Sequence, residues 1–283
     1  MTSEQVGKII CGHNVDVLRG TIDSDSIDLT VTSPPYDDLR LYKGFEFDFA
    51  GIASELYRVT KPGGVVVWVV GDAVQNKSES CTSFKQALHF VSLGFKLHDT
   101  MIYEKATSSF PAGPRDNRYT QIFEYMFVLS KGTKPKTANL IGDKPNAMAG
   151  KIKTAPWVGR KNDLLTEVSK PFITAEFGIR TNIWRFAVGQ SKDRLAARQP
   201  AILPDRLALD HILSWSNPGD IVLDPFSGSG TTCLMAKEAK REFIGVEVCE
   251  EYCEIARQRM SYAVDIVDAT EKLSSSDFEA LLL

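Results

Sequence analysis

The chain has 283 residues, with 33 Lys and Arg against 36 Asp and Glu, for a formal net charge of −3. Apolar residues at 43% and charged residues at 24% are ordinary globular values, and the length suits one large α/β domain with or without an insertion. No apolar run approaches the ~18–20 residues that span a bilayer. Nothing reads as a secretory signal, and five cysteines without paired spacing suit reduced thiols, so the expectation is a cytoplasmic protein with no membrane partner.

Lys8 to Cys11 is a short apolar run, and Ile27 to Val31 a second that ends at Thr32-Ser33-Pro34-Pro35-Tyr36. Two prolines cannot continue a central strand, so the chain turns there. Phe49 to Val59 has helical spacing, with Ile52, Leu56 and Val59 on one face, and Pro62-Gly63-Gly64 follows as a stop. Val65 to Val70 is apolar on both faces, as a buried parallel strand is. Asp72 after it reads as a pocket residue or a strand cap. Phe84 to Leu93 predicts a helix, and Lys96 to Glu104 and Ile122 to Leu129 predict strands. Ala106 to Gln121 between them reads as a long loop. Residues 131–170 have poor periodicity, and Thr181 to Phe186 predicts a strand around Trp184.

The C-terminal third is regular again. Pro204 starts a helix, Asp220 to Leu223 is a strand, and Cys233 to Ala239 is a helix. Glu242 to Val246 is a strand, Cys249 to Tyr262 is a helix, and the last stretch is a Ser-rich tail. The alternation predicts a doubly wound, mostly parallel sheet with helices on both faces.

Strand Ile221 to Leu223, then Asp224, a Gly/Ser turn and a helix make a nucleotide-binding βα layout. Gly228 and Gly230 let the backbone approach a ligand, and the helix N-terminus presents free N–H groups. No Lys follows the glycines, so this is not a P-loop, and Cys233 takes the third glycine position of a dinucleotide fingerprint. Glu247 closes the next strand, where an acid accepts hydrogen bonds from both ribose hydroxyls. A glycine turn alone is as consistent with a plain structural turn; the second acid favours an adenosine ligand.

Asp224-Pro-Phe-Ser-Gly-Ser-Gly-Thr-Thr232 resembles the S-adenosylmethionine motif of DNA amino-methyltransferases. Thr32-Ser-Pro-Pro-Tyr36 resembles their catalytic motif, in the Ser form similar to that of N4-cytosine enzymes. Catalytic motif first and cofactor motif last, around a basic segment, is similar to the circularly permuted β-class order. The resemblance covers roughly residues 8–105 and 198–262. It implies a Rossmann-like methyltransferase sheet with S-adenosylmethionine as cofactor, and catalytic Ser33, Pro34, Pro35 and Tyr36. It places Thr32, Asp224, Pro225, Phe226, Gly228, Gly230, Thr231 and Glu247 at the cofactor, with Gln199-Pro200 lining its methionyl end. His13 stands where the family usually has Asp.

The chemistry of Ser33 to Tyr36 suits an exocyclic amine, whose lone pair is delocalised into the ring. Ser33 Oγ and the Pro34 carbonyl can hold the amine protons and turn the lone pair toward a methyl donor. Tyr36 offers a face on which a flipped base stacks.

Charge along the chain reverses the inference from its total. Glu104 to Arg198 holds 17 basic and 8 acidic residues, a net of +9, which leaves −12 elsewhere. A basic block is either a solvated face or a polyanion surface. Here it is interleaved with Trp157, Phe172, Phe177, Trp184 and Phe186, which suit an opened duplex. Arg115 and Arg118 are candidates for DNA contact. The expected organisation is a catalytic half over 1–105, a DNA target-recognition insertion over 106–197, a cofactor half over 198–264 and a tail over 265–283.

The resulting expectation is methyl transfer to the N4 amine of cytosine in duplex DNA. N6-adenine is the nearest alternative, RNA or protein amides a more distant one, and a non-catalytic DNA-binding module a third. A C5-cytosine enzyme is excluded because no cysteine follows a proline. The histidines are scattered and Cys249 and Cys253 read as helix residues, so no metal is expected. A homodimer and a paired restriction endonuclease are implied by the resemblance only.

Overall fold

The computed structural model describes residues 2–35, 47–106, 118–153, 158–161, 164–167, 172–188 and 202–261. It contains two compact units, Met1–Asn139 with Asn182–Leu283, and Leu140–Thr181.

The larger unit is an α/β sheet structure. In chain order it runs α1 (Thr2–Gln5), β1 (Lys8–Cys11), α2 (Asn14–Thr21), β2 (Ile27–Thr32), α3 (Phe49–Val59), β3 (Thr60–Val70) and α4 (Thr82–Ser92). It continues with β4 (Phe95–Lys105), β5 (Phe123–Lys131), β6 (Ile183–Phe186), α5 (Asp205–Trp215), β7 (Ile221–Asp224), α6 (Thr231–Glu238), β8 (Glu242–Glu247) and α7 (Glu250–Ser261). The strands lie in the order β1-β8-β7-β2-β3-β5-β4-β6. Neighbours are parallel except that β5 runs antiparallel to both β3 and β4.

The expected mostly parallel, doubly wound architecture is therefore present. β3 is buried at every position from Gly64 to Val70, as an interior strand with covered faces must be. Trp68 sits in the core with Phe90 at 5.0 Å and Phe226 at 6.1 Å, and its indole N–H donates to Gln86 Oε1 at 2.8 Å. Helix α3 starts where Asp48 Oδ1 accepts from Gly51 N at 2.8 Å and ends as Thr60 Oγ1 donates back to the Leu56 carbonyl. Asp72 is a cap: its carboxylate takes the Ser83 amide at 2.9 Å and the Ser83 hydroxyl, holding the first turn of α4.

Three differences from the sequence reading have physical causes. Helix α2 is not among the elements that periodicity predicts, because its eight residues bury only Val15 and Leu18. Within the expected 106–197 insertion, the separate compact unit spans Leu140–Thr181, because β5 and β6 hydrogen-bond into the main sheet. Trp184 is 6% exposed and its ring lies 4.5 Å from that of His211 on α5, so it is core rather than a duplex-facing aromatic.

The smaller unit consists of nested antiparallel pairs, Lys144–Pro145 with Phe177–Gly178, Ile152–Lys153 with Phe172–Ile173, and Val158–Lys161 with Leu164–Glu167. Arg180 closes its base, with Nε 3.0 Å from both Asp143 carboxylate oxygens.

Candidate active site

The chain order places strands from its two ends side by side. β2 pairs with β7, Val222 opposite Leu29 and Leu223 opposite Thr30. All three of β2, β7 and β8 point the same way, so Thr32, Asp224 and Glu247 end them at one edge of the sheet. In an open α/β sheet, the crevice beyond such strand ends, at a topological switch, is where ligands bind.

The two sequence motifs meet there directly. Thr32 Oγ1 donates to Asp224 Oδ1 at 2.6 Å, and both residues are buried. Asp224 Oδ1 also accepts from the Phe226 amide at 3.1 Å, which folds the chain into the Gly/Ser turn. Burial pushes the Asp224 carboxyl up to about 6, against the hydrogen bonds from Thr32, Phe226 and Thr232 that favour its charge. Thr232 Oγ1 reaches back to the Val31 carbonyl at 3.2 Å, a second tie between α6 and β2. Beyond Thr32, Ser33 and Pro35 are half-buried and Pro34 is buried.

Glu247 organises the turn from the neighbouring strand. Its Oε2 accepts from Gly228 N at 3.0 Å and its Oε1 from Cys249 N at 2.8 Å. Burial raises its carboxyl above the ordinary value, opposed by those backbone bonds. Val248 also donates to this carboxylate, and of its roughly four acceptor positions the three backbone bonds leave capacity for a ligand hydroxyl.

The two glycines of the turn have different reasons. Gly228 has φ +49 and gives its N–H to Glu247. Gly230 has φ +83, and a Cβ there would sit 2.9 Å from Ala256 Cβ on α7. Helix packing and backbone conformation therefore each call for a glycine here, a reason additional to the ligand approach expected from the sequence.

Thr231 is buried at the start of α6, and its hydroxyl accepts from Arg259 Nη1 at 3.3 Å. Arg259, itself 2% exposed, also donates to the Ser229 carbonyl and comes within 4.0 Å of Asp205. Burial, reinforced by Asp205 and opposed by Arg259, raises Glu238 to about 7. Sequence reading missed this guanidinium behind the turn; its signal was a helix position where an arginine replaces an apolar residue.

Other residues around the turn were also missed. Asn14 Nδ2 donates to the Pro225 carbonyl at 3.3 Å. Phe47 lies edge-on to Phe226 at 5.4 Å. Ser227 Oγ is buried without a hydrogen-bond partner among the described residues. Of the remaining expected site residues, Tyr36, Arg115, Gln199 and Pro200 lie outside the described residues. Arg118 is described: its Nη2 donates to the Lys77 carbonyl at 2.6 Å and its Nη1 lies 3.6 Å from Glu79. That ties it to the short hairpin Val74–Gln75/Ser78–Glu79.

The pattern of a DNA methylase family covering N6 and N4 enzymes matches residues 27–258. The chain is 55% identical over 247 residues to the orphan methyltransferase M.BamHII of Bacillus amyloliquefaciens, covering 86% of this chain and 92% of that one. Among solved structures, the PvuII DNA methyltransferase (cytosine-N4-specific) superposes with a TM-score of 0.66 at 21% identity, over 90% of this chain and 89% of that one. A DNA modification methylase of Thermus thermophilus, TTHA0409, complexed with S-adenosyl-L-methionine, gives 0.61 at 23% identity, over 91% and 94%. With both motifs inside the matched span and joined by the Thr32–Asp224 hydrogen bond, the chain belongs to the DNA methylase family.

Proposed function

We propose that this DNA methylase transfers a methyl group from S-adenosylmethionine to the exocyclic N4 amine of cytosine in duplex DNA. The observation that carries the reading is the Thr32 to Asp224 hydrogen bond of 2.6 Å, which joins the start of the Ser33-Pro34-Pro35 turn to the start of the glycine turn. An amine-binding segment and a nucleotide-binding segment then share one crevice.

The turn fits the cofactor. Ser227 Oγ is a buried polar atom without a partner among the described residues, and Glu247 has acceptor capacity left for ribose hydroxyls. Asp224, Pro225, Phe226, Gly228, Thr231 and Glu247 would hold S-adenosylmethionine, with Thr32 behind them and Gln199-Pro200 at its methionyl end. When bound, S-adenosylmethionine supplies an electrophilic methyl on a sulfonium.

The protein's own part is positioning. Ser33 Oγ and the Pro34 carbonyl accept hydrogen bonds from the two amine N–H groups and draw the nitrogen toward sp³ geometry, so that its lone pair faces the methyl group. Pro34 and Pro35 fix φ and keep both acceptors from drifting. Tyr36 stacks on the base once it leaves the duplex, which an amine inside the helical stack requires. The basic segment 106–197, which contains the Leu140–Thr181 unit, supplies phosphate contacts, with Arg115 and Arg118 among them.

The Ser33 form of the catalytic motif favours cytosine N4. N6-adenine is the second reading, favoured by a family pattern that covers both amines. The name of the 55%-identical relative supports action without a paired restriction endonuclease. The test is to incubate purified protein with plasmid DNA and S-adenosylmethionine, then identify the modified nucleosides by mass spectrometry. N4-methyldeoxycytidine is the expected product. N6-methyldeoxyadenosine would replace the reading with the second, and no modified nucleoside would overturn both.

A further inference from the structure

On the far side of Glu247 from the glycine turn, side chains from opposite ends of the chain converge. Cys11 is the last residue of β1 and stands opposite Glu247 in the parallel register. Glu250 and Cys253 lie in the first turns of α7. The ligand atoms of Cys11, Glu250 and Cys253 all lie within 4.8 Å of one another. Cys11 and Glu250 are exposed and Cys253 is buried, so the cluster has a solvent-open side and a closed back.

Two sulfurs and one carboxylate oxygen, from the end of one strand and the start of one helix, are a donor set suited to a thiophilic cation. Zinc takes thiolate and carboxylate ligands in tetrahedral geometry, and an open fourth position is filled by water. Soft thiolates select zinc-type ions over magnesium or calcium. The scaffold is held without the ion. Gly12 N donates to the Glu247 carbonyl at 2.9 Å, and Cys253 Sγ lies 3.3 Å from the same oxygen. The local competitor is Arg257, whose Nη1 lies 2.8 Å from Glu250 Oε1. It has a second acid within reach, Glu254 at 3.9 Å, to which it can turn when Glu250 is taken.

We propose that Cys11, Cys253 and Glu250 form a binding site for one zinc-type divalent cation, beside the cofactor turn and separate from it. Each thiol loses its proton to solvent as its sulfur–metal bond forms, and water completes the coordination. The expectation of no metal from the sequence rested on Cys249 and Cys253 lacking other ligands nearby; Cys11 joins Cys253 only through the β1–β8 pairing.

The test is a cobalt(II) titration of the full chain, reduced with a phosphine and freed of metal, followed by zinc competition. The expected result is one equivalent bound, with a thiolate-to-cobalt charge-transfer absorption that zinc abolishes. Cys11→Ser and Cys253→Ser each lose at least about tenfold in affinity, while Cys249→Ser and Cys81→Ser do not. Arg257→Gln gains about two- to fivefold, the size of an exposed ion pair. The proposal is overturned by absence of the charge-transfer band, by a band that survives both Cys11→Ser and Cys253→Ser, or by an intact mass showing these two thiols already joined as a disulfide in the reduced protein.

Discussion

Thr32 and Asp224 are 192 residues apart in the chain and share a buried hydrogen bond of 2.6 Å. The bond closes the seam between the N-terminal and C-terminal halves of the sheet at the point where the two motifs begin. Thr32→Val keeps the shape and removes the donor. Asp224 then loses one of the bonds that offset its burial, at a cost of about 1–3 kcal/mol. Denaturant unfolding should show that loss, and calorimetric titration should show weaker S-adenosylmethionine binding. Wild-type stability in the variant would mean the bond contributes nothing.

Asp224 also sets a pH dependence. Its folded-state value of about 6 lies above the ordinary 3.8, so folding favours the protonated carboxyl. Its contribution to stability is therefore fullest at low pH and is lost as pH rises through about 6. Asp224→Asn keeps an oxygen toward Thr32 and Phe226 without the charge. The variant should gain on the wild type between pH 4 and 6, by about 1–3 kcal/mol at pH 7, in unfolding measured without ligand. A difference that does not change with pH would contradict the raised value.

Ser33 and Glu247 should separate chemistry from binding. Ser33→Ala removes the acceptor proposed for the amine, so single-turnover methylation should fall at least about a hundredfold while S-adenosylmethionine affinity stays within about twofold. Glu247→Ala removes the acceptor of both Gly228 N and Cys249 N and should weaken cofactor binding by about tenfold or more. Unchanged turnover in the first, or unchanged affinity in the second, would remove that residue from its role.

Gly230→Ala tests the packing reading of that glycine. Its φ of +83 strains an alanine, and the new Cβ meets Ala256 Cβ at 2.9 Å. The expected loss is about 1–3 kcal/mol of stability, visible in thermal unfolding without cofactor. If stability held and only cofactor affinity fell, ligand approach and not packing would be the reason for this glycine.

Much of this architecture is written locally. The 3.6-residue spacing of Ile52, Leu56 and Val59 and the unbroken run Val65 to Val70 determine helix and strand. The Pro34-Pro35 stop determines where β2 ends, and an acid closes each of β7 and β8. These are short-range consequences of backbone sterics and apolar periodicity, so they need no knowledge of what packs where.

Tertiary structure decided the rest, because strand partners are chosen by which apolar faces can be buried together. That choice turned residues 123–131 into a reversed strand inside the sheet and drew Trp184 into the core against His211. It gave Gly230 a neighbour in Ala256, put buried Arg259 behind the turn, and brought Cys11 to Glu250 and Cys253. None of these contacts is local: each joins side chains that meet only after the chain has folded its strands into one sheet. Composition and motifs determined the chemistry this chain is suited to; the pairing of β2 with β7 decided that its two motifs begin side by side at one end of the sheet.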